Sequence, residues 1–357
     1  MRGSEGAARR GGGRTAAKAA LWCGVAASAI CVASSSASRT LDAISGTVEA
    51  RAGVVARGAS SVESSGGAKA ASPAERLLLE SIVRLEGLRS TSADLEFEAR
   101  LFGESYFGRG RYEETSEAPG AARRSALENV RYRLRASVVR GSAKEVRVDG
   151  EENVLEIVCD CDRQALWTYS SLEGTKALTR IDVAELSNAL ANLSGEELAA
   201  VGVEGPCAMN GLPGLGGLAG TLRRLSAVYR FEPKIARAPE FKGAETVKIT
   251  GRARESFWRT AKRRLGVETF EPYLAENLPG NVEIYFGVDW PFPYKIVYFS
   301  LAENEERTRN DVFKVEYSSV VRNDATIRPE NFNYNQPQIT FERVTTKYVD
   351  SLISEEE

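Results

Sequence analysis

The feature that most constrains this chain is a strict alternation of apolar and charged residues that returns in segment after segment. Leu95, Phe97, Ala99 and Leu101 alternate with Glu96, Glu98 and Arg100. Val130, Tyr132, Leu134, Ala136 and Val138 alternate with Arg131, Arg133 and Arg135. Successive side chains of a strand point to opposite faces, so a period of two gives a strand one apolar and one wet face. Val247 and Ile249 repeat the pattern, as do Val282, Ile284, Phe286 and Val288, and residues 154–161, 165–169, 294–301 and 312–317 read as further strands. Half-charged strands of this kind belong to an antiparallel sheet, because parallel sheets are covered on both faces. Gly280-Asn281 and Trp290-Pro291-Phe292-Pro293 supply strand starts and turns between them.

Helical periodicity is rarer. Ser72-Pro73-Ala74-Glu75 forms a capping box with proline at the first helical position. The helix it opens places Leu78, Ile82 and Leu85 on one stripe, with Leu79 and Val83 beside them, and is predicted to end near Gly87. Residues 183–190, 222–228 and 344–352 carry similar patterns. No period of 20–50 residues recurs, which excludes a solenoid or propeller. Strands dominate, and the class is α+β.

The folded domain is expected to occupy residues 72–357, because what precedes it does not read as a fold. Arg2, Arg9, Arg10, Arg14 and Lys18 precede an uncharged run at 19–33, and Ser35 and Ala37 fit a cleavage after Ala37. A basic start, a short apolar stretch and a small-residue exit make residues 1–37 a secretory signal, or an N-terminal membrane anchor if it is retained. Residues 38–71 are rich in Ala, Ser and Gly and cannot bury enough surface to offset chain entropy, so they read as a flexible linker. The expected location is periplasmic or cell-envelope.

Composition then narrows the chemistry. The 357 residues include no histidine, which removes Ser-His-Asp and Cys-His nucleophile systems and His-ligated metal sites. A formal net charge of −2 offers no global attraction for nucleic acid. Gly214-Leu215-Gly216-Gly217-Leu218-Ala219 matches a dinucleotide fingerprint, but the βαβ context it needs is missing, and a flexible or helix-entry segment is the expected reading. Arg223-Arg224 and Lys262-Arg263-Arg264 read as solvated helix faces. Glu151/Glu152 and Asp160/Asp162 read as solvated turn charges rather than catalytic pairs. Cys159 and Cys161 share one face of a strand. In an exported chain Cys207 is free to form a disulfide with either, and the alternative is three small buried side chains. No enzyme activity, cofactor, metal or nucleotide is expected.

The run Asp162-Arg163-Gln164-Ala165-Leu166-Trp167-Thr168-Tyr169, with Pro329, Phe332, Tyr334 and Pro337 before a last strand and helix, resembles the outer-membrane lipoprotein carrier (LolA-like) family. The likeness spans roughly residues 77–352. Arg163 stands where the family has a turn glycine, and Arg131, Arg133 and Arg135 compete for the place of its cavity arginine. The resemblance implies an open, strongly curved antiparallel sheet, a half-barrel, with helices covering its concave face and acyl chains or a lipid-modified protein held between. Burying an acyl chain contributes about 0.8 kcal/mol per methylene, so ~14 methylenes contribute roughly 11 kcal/mol. The expected lining is Phe97, Leu101, Tyr132, Leu134, Trp167, Tyr169, Ile249, Ile284 and Phe286. The alternative is a tethered envelope sensor or scaffold with the same fold and no transport role.

Overall fold

The computed structural model describes residues 71–101, 104–116, 130–141, 153–160, 165–172, 175–185, 188, 216–256, 258–259, 268–269, 278–300, 310–334 and 340–346. The expected leader, all of the linker before residue 71, the Lys262-Arg263-Arg264 cluster, Glu151, Glu152, Asp162, Cys161 and Cys207 lie outside the described residues.

The architecture is mostly strand: an open, curved sheet with few helices. In chain order the strands are β1 (Ser90–Leu101), β2 (Glu104–Ser116), β3 (Val130–Arg140), β4 (Val154–Asp160), β5 (Ala165–Leu172), β6 (Thr175–Asp182), β7 (Tyr229–Phe231), β8 (Ala236–Phe241), β9 (Ala244–Ala253), β10 (Pro279–Gly287), β11 (Pro293–Ser300), β12 (Asp311–Arg322) and β13 (Glu342–Arg343). They lie side by side as β13-β6-β5-β4-β3-β2-β1-β12-β11-β10-β9-β7, with β8 also on β9. All pairs are antiparallel except β13 with β6. The register shifts at Ser92/Asp94, Tyr285/Phe286 and Tyr298/Phe299. Such bulges bend a strand and increase its local twist.

Cross-strand register carries one apolar row through the middle of the sheet. Ile249 pairs with Ile284, Ile284 with Ile296, Ile296 with Val315, Val315 with Phe97, and Phe97 with Gly108. Residues paired across strands share a face, so this row defines the inner face. The outer face of the same strands is a lattice of opposed charges: Arg109 with Glu96, Lys314 with Glu98, Lys295 with Glu316 and Lys248 with Glu283.

Two helices belong to the same apolar cluster as the inner face. Helix α1 (Pro73–Glu86) has the expected capping box: Ser72 Oγ accepts from Glu75 N–H at 3.2 Å, and Glu75 Oε2 accepts from Ser72 N–H at 2.8 Å. Its stripe of Ala74, Leu78, Ile82 and Leu85 is buried, while Val83 faces solvent. Helix α2 (Gly217–Val228) starts inside the glycine-rich run and buries Leu218, Ala219, Leu222, Leu225 and Val228. The helices are tied to each other by Arg223, whose Nη2 and Nε donate to Glu86 Oε1 at 2.6 and 3.0 Å. Arg223-Arg224 is therefore not a solvated face. Arg224 is only 5% exposed, because the cationic side chains of a helix packed on both a sheet and a second helix have no wet side left. Asp160 likewise ends β4 buried rather than sitting in a solvated turn.

The chain beyond β12 crosses to the far edge of the sheet. Asn323, in the left-handed region at φ 52, turns the chain, and its Oδ1 accepts from Arg89 N–H at 3.1 Å. A single 3-10 turn at Pro329–Phe332 follows, with Arg133 Nη1 donating to the Asn331 carbonyl at 3.1 Å. β13 then adds in parallel beside β6, and Thr345 Oγ1 accepts from Asp182 N–H at 2.9 Å.

Candidate functional site

The site with most distinctive chemistry lies where α2 meets the sheet. Gly216 and Gly217 both have positive φ, 82 and 63, and α2 has no side-chain cap of its own. The cap comes from the sheet. Glu114 of β2, 7% exposed, accepts at Oε2 from Leu218 N–H at 3.0 Å and also from the Tyr112 hydroxyl. A carboxylate at a helix N-terminus satisfies orphan N–H groups and meets the positive end of the dipole. A Cβ on Gly217 would lie 2.3 Å from Glu114 Oε2, so a glycine is required for the approach as well as for the backbone angle.

Next to this latch Tyr112 packs on Tyr132 at 6.3 Å and on Tyr317 at 6.1 Å, while Tyr229, the C-cap of α2, packs on Tyr298 at 6.4 Å, and all five are buried. Burial pushes the Tyr112 phenol well above its ordinary pKa, and the adjacent Glu114 carboxylate pushes it further. Tyr298 and Tyr317 are also raised, chiefly by burial, with the charge of Arg224 opposing the shift at both. Arg224 Nη2 donates to Thr221 Oγ1 at 3.1 Å. The phenols of Tyr112, Tyr229, Tyr298 and Tyr317, all raised by burial, keep their protons near neutral pH. Among the described residues no three Cys, Asp or Glu side chains are grouped to hold a metal ion.

The structure divides the nine expected lining residues. Phe97, Tyr132, Leu134, Ile249, Ile284 and Phe286 are all buried in the cluster shared by the inner face, α1 and α2. Leu101 ends β1. Trp167 and Tyr169 do not join them: they belong to a second cluster with Val154, Val158, Leu178, Phe332 and Tyr334. Register explains this. Leu134 pairs with Ile157 and Ile157 with Thr168, whereas Trp167 pairs with Val158 and Val158 with Arg133. Thr168 thus holds the inner place on β5, and Trp167 faces outward beneath the chain beyond β12. Tyr334 stacks on its ring at 5.3 Å, Phe341 meets it edge-on at 5.2 Å, and Arg180 lies over it at 5.4 Å.

The same parity disposes of the three competing arginines. Arg131, Arg133 and Arg135 all point opposite to Tyr132 and Leu134. Among the described residues the arginine buried on the inner side is Arg224, and it comes from α2. Neither Arg224 nor the Glu114 latch was foreseen. The signal for the latch was a glutamate at the inner position of a strand, two residues from a tyrosine.

No family model and no curated relative matches the sequence. Structural neighbours include members of the lipoprotein carrier superfamily. A LolA superfamily protein from Nitrosomonas europaea shares 12% identity over 74% of this chain and 99% of its own, with a TM-score of 0.24. Lipoprotein LppX from Mycobacterium tuberculosis shares 11% identity over 70% and 96%, with a TM-score of 0.27. A DUF1329 family protein from Desulfovibrio piger shares 8% identity over 74% and 98%, with a TM-score of 0.31. At these identities, and with TM-scores below 0.5, the likeness says nothing of what this chain binds.

Proposed function

We propose that the chain is an exported, non-enzymatic envelope protein that holds an acyl chain or a lipid-modified protein between the inner face of its sheet and the helices covering it. The observation that carries this reading is the apolar row from Ile249 to Phe97, which shares one cluster with the apolar stripes of α1 and α2. α1 and α2 are joined to each other by Arg223 and Glu86, and α2 is latched to the sheet through Glu114. Such a pair can lift as one body, which trades buried side chains for an acyl chain at little net loss of apolar contact.

A second reading rests on the packing of that face. Tyr132, Leu134, Ile249, Ile284 and Phe286 have 0% exposure, as the filled core of a scaffold or sensor would. The two readings part on one measurement, mass spectrometry of lipid extracted from the protein after purification from its envelope, followed by titration with a fatty acid. Trp258 belongs to the inner cluster and Trp290 packs against it, so their emission is expected to change saturably as acyl chain enters. An empty extract together with a flat titration discards carriage in favour of the scaffold.

A further inference from the structure

At the open edge beyond β9 the pattern of opposed charges breaks. Arg230 of β7 pairs directly with Arg252 of β9. Side chains so placed have Cβ atoms about 4.5–5.5 Å apart, and like charges there are destabilising. Arg254 follows two residues on, and Arg259 lies close by in the next helical turn. All four are exposed, and together they line an open groove of about 670 Å³ with Phe231, Pro233, Ala253, Glu232 and Glu255. Among the described residues none of the four arginines makes an ion pair, and the one hydrogen bond of their side chains is Arg254 Nη2 donating to the Ser226 carbonyl at 3.4 Å. Where like charges face one another elsewhere on the same face, as Arg111 does Arg135 and Glu96 does Glu316, opposite charges stand beside them: Asp94 and Glu113 pair with Arg111, Arg109 with Glu96 and Lys295 with Glu316.

We propose that this groove binds an organic phosphate through Arg230, Arg252, Arg254 and Arg259. A guanidinium presents a planar fork of donors that matches phosphate oxygens two at a time. A phosphate monoester carries about −1.5 to −2 charges and three strong acceptor oxygens near neutral pH. With three acceptor oxygens and up to about two charges it can engage several arginines at once, where a singly charged carboxylate ligand engages fewer. The volume exceeds what the anion alone fills, and Phe231, Pro233 and Ala253 give the remainder of the ligand apolar wall. The site lies at the edge of the sheet, beside the end of the inner cluster to which Phe231 and Ala253 belong, and goes beyond the function proposed above.

The test uses the full chain and two probes of the same headgroup chemistry: sn-glycerol 3-phosphate by calorimetry, and phosphatidic acid vesicles by flotation, with phosphatidylcholine vesicles alongside. Saturable binding that falls at least tenfold in Arg230→Gln and Arg252→Gln, and is unchanged in Arg109→Gln, is the expected result. Binding of glycerol 3-phosphate assigns a soluble phosphate, and binding of phosphatidic acid vesicles alone assigns a lipid headgroup. No binding to either probe, equal binding to phosphatidylcholine, or binding that both glutamine variants leave intact overturns the proposal. Relief of the opposed pair is expected to leave the Tm of Arg252→Gln at or above that of the wild type. A clear fall would show that the arginines serve the fold, and overturns it too.

Discussion

The ring of Phe97 occupies the space where a side chain on Gly108 would stand: a Cβ there would lie 2.1 Å from Phe97 Cε1. The two residues are register partners on neighbouring strands. The central aromatic of the inner row therefore lies flat across the strand beside it, and Phe313 stacks on it at 6.0 Å from the other side. Gly108→Ala is expected to destabilise the domain by about 1–3 kcal/mol, the usual cost of overpacking. Phe97→Leu in the same chain is expected to recover a good part of that loss, because it withdraws the atoms that clash. Urea unfolding of the two single variants and the double variant measures the coupling, and strict additivity would show that the ring and the glycine do not constrain each other.

Glu114→Gln keeps the shape of the latch and removes its charge. The expected cost is about 1–3 kcal/mol, since a buried N–H and a tyrosine hydroxyl lose a charged acceptor. Hydrogen exchange distinguishes a latch from a general weakening. Amides at 218–222 should exchange faster in the variant while those of β9–β11 keep their protection. Uniform loss across the sheet would count against a local role.

Acid stability should be sensitive to Asp324. Its carboxylate accepts from Ser92 Oγ at 2.6 Å, from Thr326 Oγ1 at 2.6 Å and from Thr326 N–H at 2.9 Å. These bonds, foremost those from the Ser92 and Thr326 hydroxyls, hold its pKa down at about 2. A depressed carboxylate pKa stabilises the fold fully above the unfolded value of about 3.9, and that stability drains away as pH falls through the folded value. Asp324→Asn should therefore flatten the stability profile between about pH 4 and pH 2 and leave its shape near neutrality unchanged. A variant that tracks the wild type through that window would remove Asp324 from the acid response.

Trp167 reports on the outer cluster. Tyr334→Ala removes the ring stacked on it and is expected to red-shift its emission and cost about 2–4 kcal/mol, in the range of large buried deletions. Acyl titration of the inner face should leave the Trp167 signal still. An acyl-dependent change that survives Trp258→Phe and Trp290→Phe, and is lost in Trp167→Phe, would reverse this assignment.

What could be read from the residues alone follows their chemistry. β1, β3, β10 and β12 were legible because apolar residues recur at every second position, and α1 because its cap is written in Ser72 to Glu75. β2 was not: Gly108 and Gly110 take the inner positions where apolar side chains mark the other strands, leaving only Tyr106 and Tyr112 to show the period. On β5, Ala165, Leu166, Trp167, Thr168 and Tyr169 have no wet partner residues between them, so the side chains do not declare a face. Size alone favours placing the larger aromatics inward, and the register with β4 sends them outward. Arg224 was missed for a similar reason, since a cation next to Arg223 gives no hint that a second helix and a sheet enclose it.

The place of β1 in the middle of the sheet has a consequence for how the molecule assembles. Its first residues are among the earliest of the domain to be made, yet Thr91 takes Arg322 as its register partner, near the other end of the chain. Such pairings must wait for a very long loop to close, and topologies of this sort fold slowly. While the chain is being synthesised, β1 can pair with β2 and nothing else. The half-sheet from β1 to β6 would meanwhile present an open edge along β1 and a bare apolar patch around Trp167. A chain whose final segments must arrive before its first strands are enclosed completes its sheet only after synthesis is done, and until then the edge of β1 is open to wrong partners.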